Sequence, residues 1–332
     1  MKTYMDREVF IDFYKCRPAE DAVEDLQSNW QSLKKFLRTQ TDLHLNVNLE
    51  KEGAEPTSVF MTLLASFGYA GTRIIFNQNV FRFKNKAGFQ KEFSNADNLF
   101  FINETKEGEL ERWKLYNGFY IACSKELMET WRKLKLTYGL PKTLPVRDFD
   151  VPYNLKSWRG LAAYSHPITD MIISDRYILK SKDLAEANLG PLITSLVANK
   201  SAHFNLTVFT SKKEVFEKDV NAMKSYLDKL LERTGLKCTV TLVYDTIERF
   251  KEHDRHIITN YFHINSGDSF TLFTRDGQLK TKGTTLDIKP LVDQDYFLAA
   301  CAVLQNLKMS FNDPNIEKTR DDGNRLFSLV AE

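Results

Sequence analysis

The sequence predicts an α/β protein with two domains, and two observations support this. Apolar segments of strand length, rich in Phe, Ile and Val, alternate along the chain with segments in which apolar residues recur at helical spacing. The chain also has 332 residues, more than a single hydrophobic core usually serves. Because such alternation favours a sheet covered on both faces, we expect an N-terminal α/β domain with a mostly parallel sheet, followed by a second α/β domain.

In the N-terminal half, strand candidates alternate with helix candidates. The strand candidates are EVFIDFY, LHLNVNLE, TRIIFNQ, NLFFINE and GFYIACS. The first helix candidate, residues 19–39, has one apolar face formed by Val23, Leu26, Trp30, Leu33 and Phe36. The second, TSVFMTLLASFG, begins with a Thr-Ser cap and ends at Gly68. The third, SKELMETWRKLKLTYG, begins with a Ser cap and ends at Gly139.

The segment LPKTLPVRDFDVPYN indicates a linker, because it contains Pro141, Pro145 and Pro152 and has neither helical nor strand periodicity. The predicted domains are therefore residues 1–140 and 161–332, joined by residues 141–160. After the linker the predicted order is strand, helix, strand, helix, strand, hairpin and final helix. The segments are MIISDRYIL, NLGPLITSLVAN, HFNLTVFT, KEVFEKDVNAMKSYLDKLLERTG, LKCTVTLVY, the hairpin, and DQDYFLAACAVLQNLKM.

The hairpin is the most informative part of the chain. EHDRHIITN and FHINS alternate polar and apolar residues, and a Ser-Gly-Asp turn leads from them into the apolar strand candidate SFTLF. Counting His253 as position one, Arg255 is position three and Asn260 is position eight. This is the spacing of the HxKxxxxD motif of the phospholipase D superfamily, with two of its three positions changed.

The second domain resembles the phospholipase D-like C-terminal domain of MIT-domain proteins and its bacterial relatives. The resemblance spans roughly residues 165 to 310, and its other parts are Ile168–Leu196, the strand candidate VYDTIERFKEHDR and the later strand TTLDIKPL. In that superfamily the His attacks phosphorus, the Lys binds phosphate oxygens, and the acid orients a His. Arg255 can bind two phosphate oxygens with its planar fork. Asn260 carries no charge to stabilise an imidazolium.

The resemblance therefore implies a phosphate-recognising module, with the phosphate carried by a nucleic acid, a nucleotide or a lipid head group. Since the acid position is substituted, we expect a non-catalytic domain that needs no cofactor. The bacterial relatives imply a component of a defence or mobile-element system. The expected ligand-binding residues are His253, Arg255, Ser266, Asp175 and Arg176. We expect the N-terminal domain to dock a protein partner.

Two alternatives are enzymatic. In the first, His253, Arg255 and Asn260 are the catalytic residues of a phospholipase D-like nuclease. That chemistry uses two His-containing motifs, so a chain with one motif would act as a homodimer with both copies of His253 at the two-fold axis. In the second, a metal-dependent nuclease site lies in the N-terminal domain, where carboxylates are expected at strand ends. Those carboxylates are Asp12, Asp97, Glu104 and Glu107.

Composition narrows the remaining classes. The net charge of +2 gives the whole chain no strong attraction to nucleic acid, so phosphate binding must be local. The local basic clusters are Arg82 with Lys84, Lys86 and Lys91; Arg132 with Lys133 and Lys135; Lys180 with Lys182; and Lys212 with Lys213. We interpret each as a solvated face, because such runs occur on most soluble proteins.

Metal and membrane classes are not indicated by the sequence. The four cysteines lie far apart with no metal-ligand spacing, and we interpret them as reduced core thiols. His256 and His263 are seven residues apart, and on one regular strand only even separations share a face, so we do not expect them to form a metal pair. No apolar run is long enough to span a membrane and the N-terminus has no signal-peptide core, so we expect a cytoplasmic protein.

Overall fold

The α/β class is confirmed by the computed structural model. The model describes residues 1–19, 22–55, 57–68, 73–77, 98–103, 108–137, 139–147, 150–200, 202–245, 255–280 and 283–330. Two compact units divide the chain, Met1–Tyr138 and Gly139–Glu332.

The first unit contains a parallel sheet, as its alternating pattern predicts. Its described strands are β1 (Lys2–Asp6), β2 (Asp42–Asn46), β3 (Ile74–Asn77), β4 (Asn98–Phe101) and β5 (Tyr120–Ala122). They pair in parallel in the order β3-β2-β1-β4-β5. Every residue of β4 and β5 is buried, and consecutive residues of a strand point to opposite faces. Both faces of this sheet are therefore covered, which is the arrangement expected for a parallel sheet.

The helices of this unit follow the predicted ones closely in two cases. They are α1 (Arg7–Lys15), α2 (Glu24–Thr39), α3 (Leu49–Gly53), α4 (Val59–Phe67), α5 (Glu109–Asn117) and α6 (Leu127–Lys135). In α4 both predicted caps are confirmed: the Ser58 hydroxyl accepts from the Met61 N–H, and Gly68 has a positive φ of 71°. The caps predicted for α6 are wrong, since its N-terminal flanking residue is Glu126 and Leu136 has the positive φ.

The strand predicted at EVFIDFY is wrong, because these residues lie in α1. The first strand is the preceding segment, Lys2–Asp6, which the sequence analysis does not identify. Phe, Ile and Val favour strands only weakly, and the local preference is readily overridden by packing. Here Phe10 packs on Phe60 and Phe67, and Phe13 stacks on Trp30, so the apolar residues serve a helix instead.

The second unit contains a mixed sheet. Its described strands are β6 (Thr143–Val146), β7 (Asp170–Ser174), β8 (His203–Ser211), β9 (Lys237–Asp245), β10 (Arg255–Thr259), β11 (Phe262–Ser266), β12 (Thr284–Pro290) and β13 (Glu317–Lys318). Their order is β13-β9-β8-β7-β10-β11-β12-β6, and the β9-β8-β7 part is parallel. The helices are α7 (Lys182–Leu196), α8 (Val220–Glu232) and α9 (Gln294–Phe311), with 3-10 helices at Trp158–Tyr164 and Arg325–Leu329.

The hairpin prediction is confirmed for β10 and β11, which pair antiparallel with Ile258 opposite His263. The strand predicted at SFTLF is wrong, since the chain there forms only an isolated bridge from Phe273 to Leu279.

The segment expected as a linker also carries structure of its own. It contains β6, which pairs with β12, and the buried side chains of Leu155 and Trp158. Pro145 is accommodated because β6 lies at the edge of the sheet, where one side of the strand needs no N–H donor.

Among the described residues, no helix combines the length and the apolar character that crossing a membrane requires.

Candidate anion-binding site

The candidate site lies where β7 ends and β10 begins. The two strands are antiparallel neighbours with His256 opposite Ser174, so Arg255 starts β10 beside the residues that follow β7. The segment after β7 leads into α7, whose N-cap Ser181 accepts a hydrogen bond from the Leu184 N–H. In α/β sheets, ligands bind in the crevice outside the carboxyl ends of the parallel strands. The residues predicted from the hairpin and from the end of β7 therefore meet at a suitable edge.

Asp175 organises this edge. Its carboxylate accepts hydrogen bonds from the Tyr177 N–H at 2.8 Å, the Ser269 hydroxyl at 2.8 Å and the Phe270 N–H at 2.6 Å. The side chain is buried, and this burial raises its pKa, while those hydrogen bonds and the charge of Arg255 act in the opposite direction. Asp175 therefore joins the segment after β7 to the segment after β11, and its oxygens are occupied by the protein.

Three cationic side chains surround the ring of Tyr177. The Cζ atoms of Arg176 and Arg255 lie 5.6 Å and 5.7 Å from the ring centroid, and the Nζ atom of Lys180 lies 5.6 Å from it. We call Arg176, Tyr177, Lys180 and Arg255 the Tyr177 cluster. Cations at such distances are attracted by the ring, but the attraction is small at an exposed site. The cluster therefore concentrates positive charge where the strands end.

One carboxylate outside the cluster partly balances this charge. Glu214 lies 3.7 Å from an Arg176 nitrogen and 3.9 Å from the Lys180 nitrogen. These are long ion pairs between partly exposed groups, and such pairs contribute little. Arg255 donates a hydrogen bond to the carbonyl of Gly267 at 3.2 Å. Of the two predicted residues after β7, Arg176 contacts Glu214 and Asp175 accepts hydrogen bonds.

Ser266 lies directly opposite Arg255 in the β10–β11 ladder. Its side chain is buried, and its hydroxyl accepts from the Asp268 N–H at 3.2 Å. The Ser-Gly-Asp turn is thus held by Ser266 itself. Its hydroxyl helps to place Arg255 by fixing the adjacent strand end.

Asn260 does not join the other predicted site residues. It follows β10 at the end opposite Arg255, five residues away, which is roughly 16 Å along a strand. Its Oδ1 accepts from the N–H groups of Thr169 at 2.9 Å and Asp170 at 3.2 Å. The side chain is fully buried. Asn260 therefore completes the backbone hydrogen bonds at the start of β7, and this contact explains an amide at that position in structural terms.

His253 and Asp254 lie outside the described residues, as do most residues of the predicted strand VYDTIERFKEHDR. Of the predicted site, Arg255, Ser266, Asp175 and Arg176 are brought together, and Asn260 is not.

His256 and His263 are neighbours in space, although they are separated by an odd number of residues. The Nδ1 atom of His256 and the Nε2 atom of His263 are 3.0 Å apart, and both side chains are buried. The parity rule holds within one strand, but the turn at Asn260 and Tyr261 reverses the chain. The two residues therefore become diagonal neighbours on one face of a hairpin. Burial, with the nearby charges of His256 and Lys289, lowers the pKa of His263 to about 3.

The described residues contain no group of three or more His, Cys, Asp or Glu side chains able to hold a metal ion. Of the carboxylates proposed for a metal-dependent nuclease, Asp97, Glu104 and Glu107 lie outside the described residues. Asp12 lies on α1, not at a strand end, and is paired with Lys15 at 3.4 Å.

The carboxylate that does lie at the end of β1 is Asp6. It accepts from the Asn46 side chain at 2.8 Å and from the Asn103 N–H at 2.6 Å. Burial raises its pKa. Asp6 thereby ties together the carboxyl ends of β1 and β2 and the residues after β4. Asp6 is not among the predicted site residues, because the strand that positions it is not among the predicted strands.

Tyr177 and Lys180 are the members of the cluster that the analysis of motifs does not select. Lys180 belongs to a pair of cations interpreted as a solvated face, and Tyr177 lies within the predicted strand MIISDRYIL. A signal was present, since in RYILK the two cations lie one residue before and three residues after the tyrosine. With that spacing, Arg176 and Lys180 can both approach the Tyr177 ring only if the chain turns after β7. Asp175 holds that turn by accepting the hydrogen bond from the Tyr177 N–H.

No protein-family model matches the chain, and no curated protein matches it at a significant level. The residues of the second unit quoted above are therefore the whole basis of the phospholipase D-like resemblance.

Proposed function

We propose that the second unit recognises phosphate groups through the Tyr177 cluster, as a phospholipase D-like module without catalytic activity. The observation that carries the proposal is the convergence of three cations within 5.7 Å of one ring at the carboxyl edge of the sheet. Arginines bind phosphate oxygens with two parallel hydrogen bonds, and lysine adds a point charge. The phosphate would be carried by a nucleic acid, a nucleotide or a lipid head group.

Two independent lines support Arg255 in particular. The motif spacing assigns it the position of the phosphate-binding lysine in the superfamily that the hairpin resembles. The packing of the side chains is independent of that resemblance, and in it Arg255 lies beside Arg176 and Lys180 around the Tyr177 ring. Asp175 and Ser266, whose side chains are buried, keep the surrounding backbone in place through hydrogen bonds. A binding site held in this way loses little conformational freedom when its ligand binds.

The bacterial relatives that the second unit resembles suggest the setting. As part of the proposal, this chain is a component of a defence or mobile-element system, as those relatives are taken to be. The N-terminal unit would then dock a protein partner.

The test measures the binding of three probes to the wild-type protein and to two variants of Arg255. These are a fluorescein-labelled single-stranded oligonucleotide, ATP, and vesicles containing a phosphoinositide. We expect one of them to bind the wild-type protein, and Arg255→Ala to weaken that binding by about tenfold or more, because a charge-assisted hydrogen bond contributes roughly 1.5–3 kcal/mol. Arg255→Lys should restore only part of the affinity, since a point charge lacks the fork geometry.

The matched control is Arg233→Ala. Arg233 is an exposed arginine on the same unit, 71% accessible, with a long contact of 3.9 Å to Glu186. The Arg233→Ala substitution removes the same charge at a position far along the chain from the cluster, so it should leave the affinity for the probe nearly unchanged. Equal loss in both variants would mean that only net charge matters. Binding of none of the probes, or unchanged affinity in Arg255→Ala, would show that the cluster is not the site.

Catalysis is tested by incubation with single-stranded and double-stranded DNA and RNA, with and without EDTA. We expect no cleavage, because Asn260 offers no charge to a histidine and its side chain is committed to the backbone at Thr169 and Asp170. Cleavage that resists EDTA and is lost in His253→Asn would establish the dimeric nuclease instead. Cleavage abolished by EDTA would place an active site among carboxylates, and the N-terminal unit would then be the place to seek it.

A further inference from the structure

A second group of cations lies in the N-terminal unit, between the end of α1 and the second half of α2. Lys34 and Arg38 are one helical turn apart on α2, and Arg17 follows α1. The Lys34 nitrogen lies 5.5 Å from the Trp30 ring centroid and 5.6 Å from that of Tyr14. The Arg17 guanidinium lies 6.0 Å from the Trp30 ring. We call Tyr14, Arg17, Lys34 and Arg38 the Tyr14 cluster.

Among the residues that the structure describes, no carboxylate pairs with the cations of this cluster. Burial lowers the pKa of Lys34, and the two charges that act on it, Arg38 and Arg17, lower it further because they have the same sign. None of the ion pairs formed by the described residues involves any of these three cations. Like charges held together raise the free energy of the folded state unless another group offsets the repulsion.

Arg38 carries an unsatisfied donor within the described part of the chain. Its Nε atom is buried and has no hydrogen-bond partner among the described residues. Its Nη2 atom lies 3.3 Å from the position that a Cβ on Gly68 would occupy, so the guanidinium rests against the glycine that ends α4. An unsatisfied buried donor on a charged group is costly. An anion beside this guanidinium would stabilise its charge.

Helix dipoles and ring contacts account for only part of the arrangement. Arg38 lies in the last turn of α2, where a cation is favoured, but Lys34 lies a full turn earlier. Lys34 and Arg17 gain from the aromatic rings, whereas Arg38 has no such contact among the described residues. These effects explain how each cation can be accommodated by itself. They do not explain why three cations lie near one another.

We propose that the Tyr14 cluster binds a small anion carrying two linked phosphate groups, of the pyrophosphate class. Three cations match an anion with two or three negative charges, and the Arg38 fork and the Lys34 ammonium together offer donors to separate phosphate groups. The Tyr14 ring forms one wall of the site. This site belongs to the first unit and does not depend on the Tyr177 cluster of the second.

The probe is sodium pyrophosphate, added to the full chain labelled with 5-fluorotryptophan and followed by fluorine NMR. The chain has four tryptophans, and Trp30 adjoins the cluster while Trp158 lies in the second unit. Single Trp→Phe variants assign the resonances. We expect the Trp30 resonance to shift saturably and the Trp158 resonance to stay in place. The same titration in Arg255→Ala should give the same result, which separates this site from the proposed function of the second unit.

Lys34→Gln and Arg38→Gln should each weaken the pyrophosphate affinity by about tenfold or more. The matched control is Lys35→Gln, which removes the same charge from an exposed neighbour on the same helix and should change the affinity by less than about twofold. Lys34→Gln also gives a test without ligand. Because it relieves the repulsion between Lys34 and the charges of Arg17 and Arg38, the thermal midpoint of the unliganded variant should equal or exceed that of the wild-type protein. An unshifted Trp30 resonance, or equal losses in Lys34→Gln and Lys35→Gln, would overturn the proposal.

Discussion

Acidification should destabilise the second unit through His166, because this residue is buried in its neutral form. Its Nδ1 lies 3.0 Å from the Tyr164 carbonyl and its Nε2 lies 2.7 Å from the Thr259 hydroxyl. The carbonyl can only accept, so Nδ1 carries the proton and Nε2 accepts from Thr259. Burial is the main cause that lowers its pKa from 6.5 to about 4, and the Tyr164 carbonyl opposes it.

The sign and size follow from proton linkage. Between the two pKa values the unfolded chain binds a proton at this histidine and the folded chain does not, so stability falls as the pH falls. This stability is fully present above the unfolded value, and its loss begins near pH 6.5. From about pH 7.5 to about pH 5, His166 alone should cost roughly 2 kcal/mol of unfolding free energy. Buried Asp170 and Asp175 have raised pKa values and act in the opposite direction.

A comparison with His166→Gln isolates the histidine from those carboxylates. Urea unfolding is followed at both pH values through the fluorine resonance of Trp158, which donates to Asn188 and packs on Phe273 in the second unit. The wild-type protein should lose roughly 2 kcal/mol more than the variant over this pH range. Equal losses in the two proteins would refute the reasoning, because His166 would then titrate alike in the folded and unfolded chains.

Two further predictions concern buried polar contacts in the second unit. Arg325→Ala should lower the unfolding free energy by about 3–5 kcal/mol, since it leaves the buried carboxylate of Asp170 without its ion-pair partner at 2.6 Å. The control, Arg320→Ala, removes an exposed ion pair and should cost less than about 1 kcal/mol. Similar losses of unfolding free energy in the two variants, measured by urea unfolding, would contradict this prediction. Asn260→Ala should cost about 2–5 kcal/mol, because two buried N–H groups lose their acceptor. Phosphate-probe affinity of the folded variant should be unchanged, and selective loss of binding would return Asn260 to the site.

Much of the fold follows from local patterns in the sequence. The α/β class, strands β2 to β5, helices α2 and α4, and the β10–β11 hairpin all depend on periodicity and on caps that act within a few residues. Ser58 and Gly68 are examples, since each satisfies a helix end from inside its own segment. The hairpin is another, because its register is set by alternation and a short turn.

The strand predictions at EVFIDFY and SFTLF are wrong, and the contact between the two histidines is not foreseen, for a common reason. Each depends on partners distant in sequence or on a reversal of the chain. Phe10 and Phe13 form a helix because they pack on Phe60, Phe67 and Trp30. The apolar residues of SFTLF are buried without a ladder partner along their length.

The candidate sites divide in the same way. The motif spacing alone selects Arg255, and the residues after β7 suggest Arg176, because charge and spacing are properties of the sequence. Only the tertiary structure brings Arg176, Lys180 and Arg255 around Tyr177 and separates Asn260 from them. The same holds for Arg17, which follows α1, and for Lys34 and Arg38, which lie on α2. Convergence of charges depends on the order of strands and the packing of helices, and both are determined by burial of apolar surface between segments far apart in the chain.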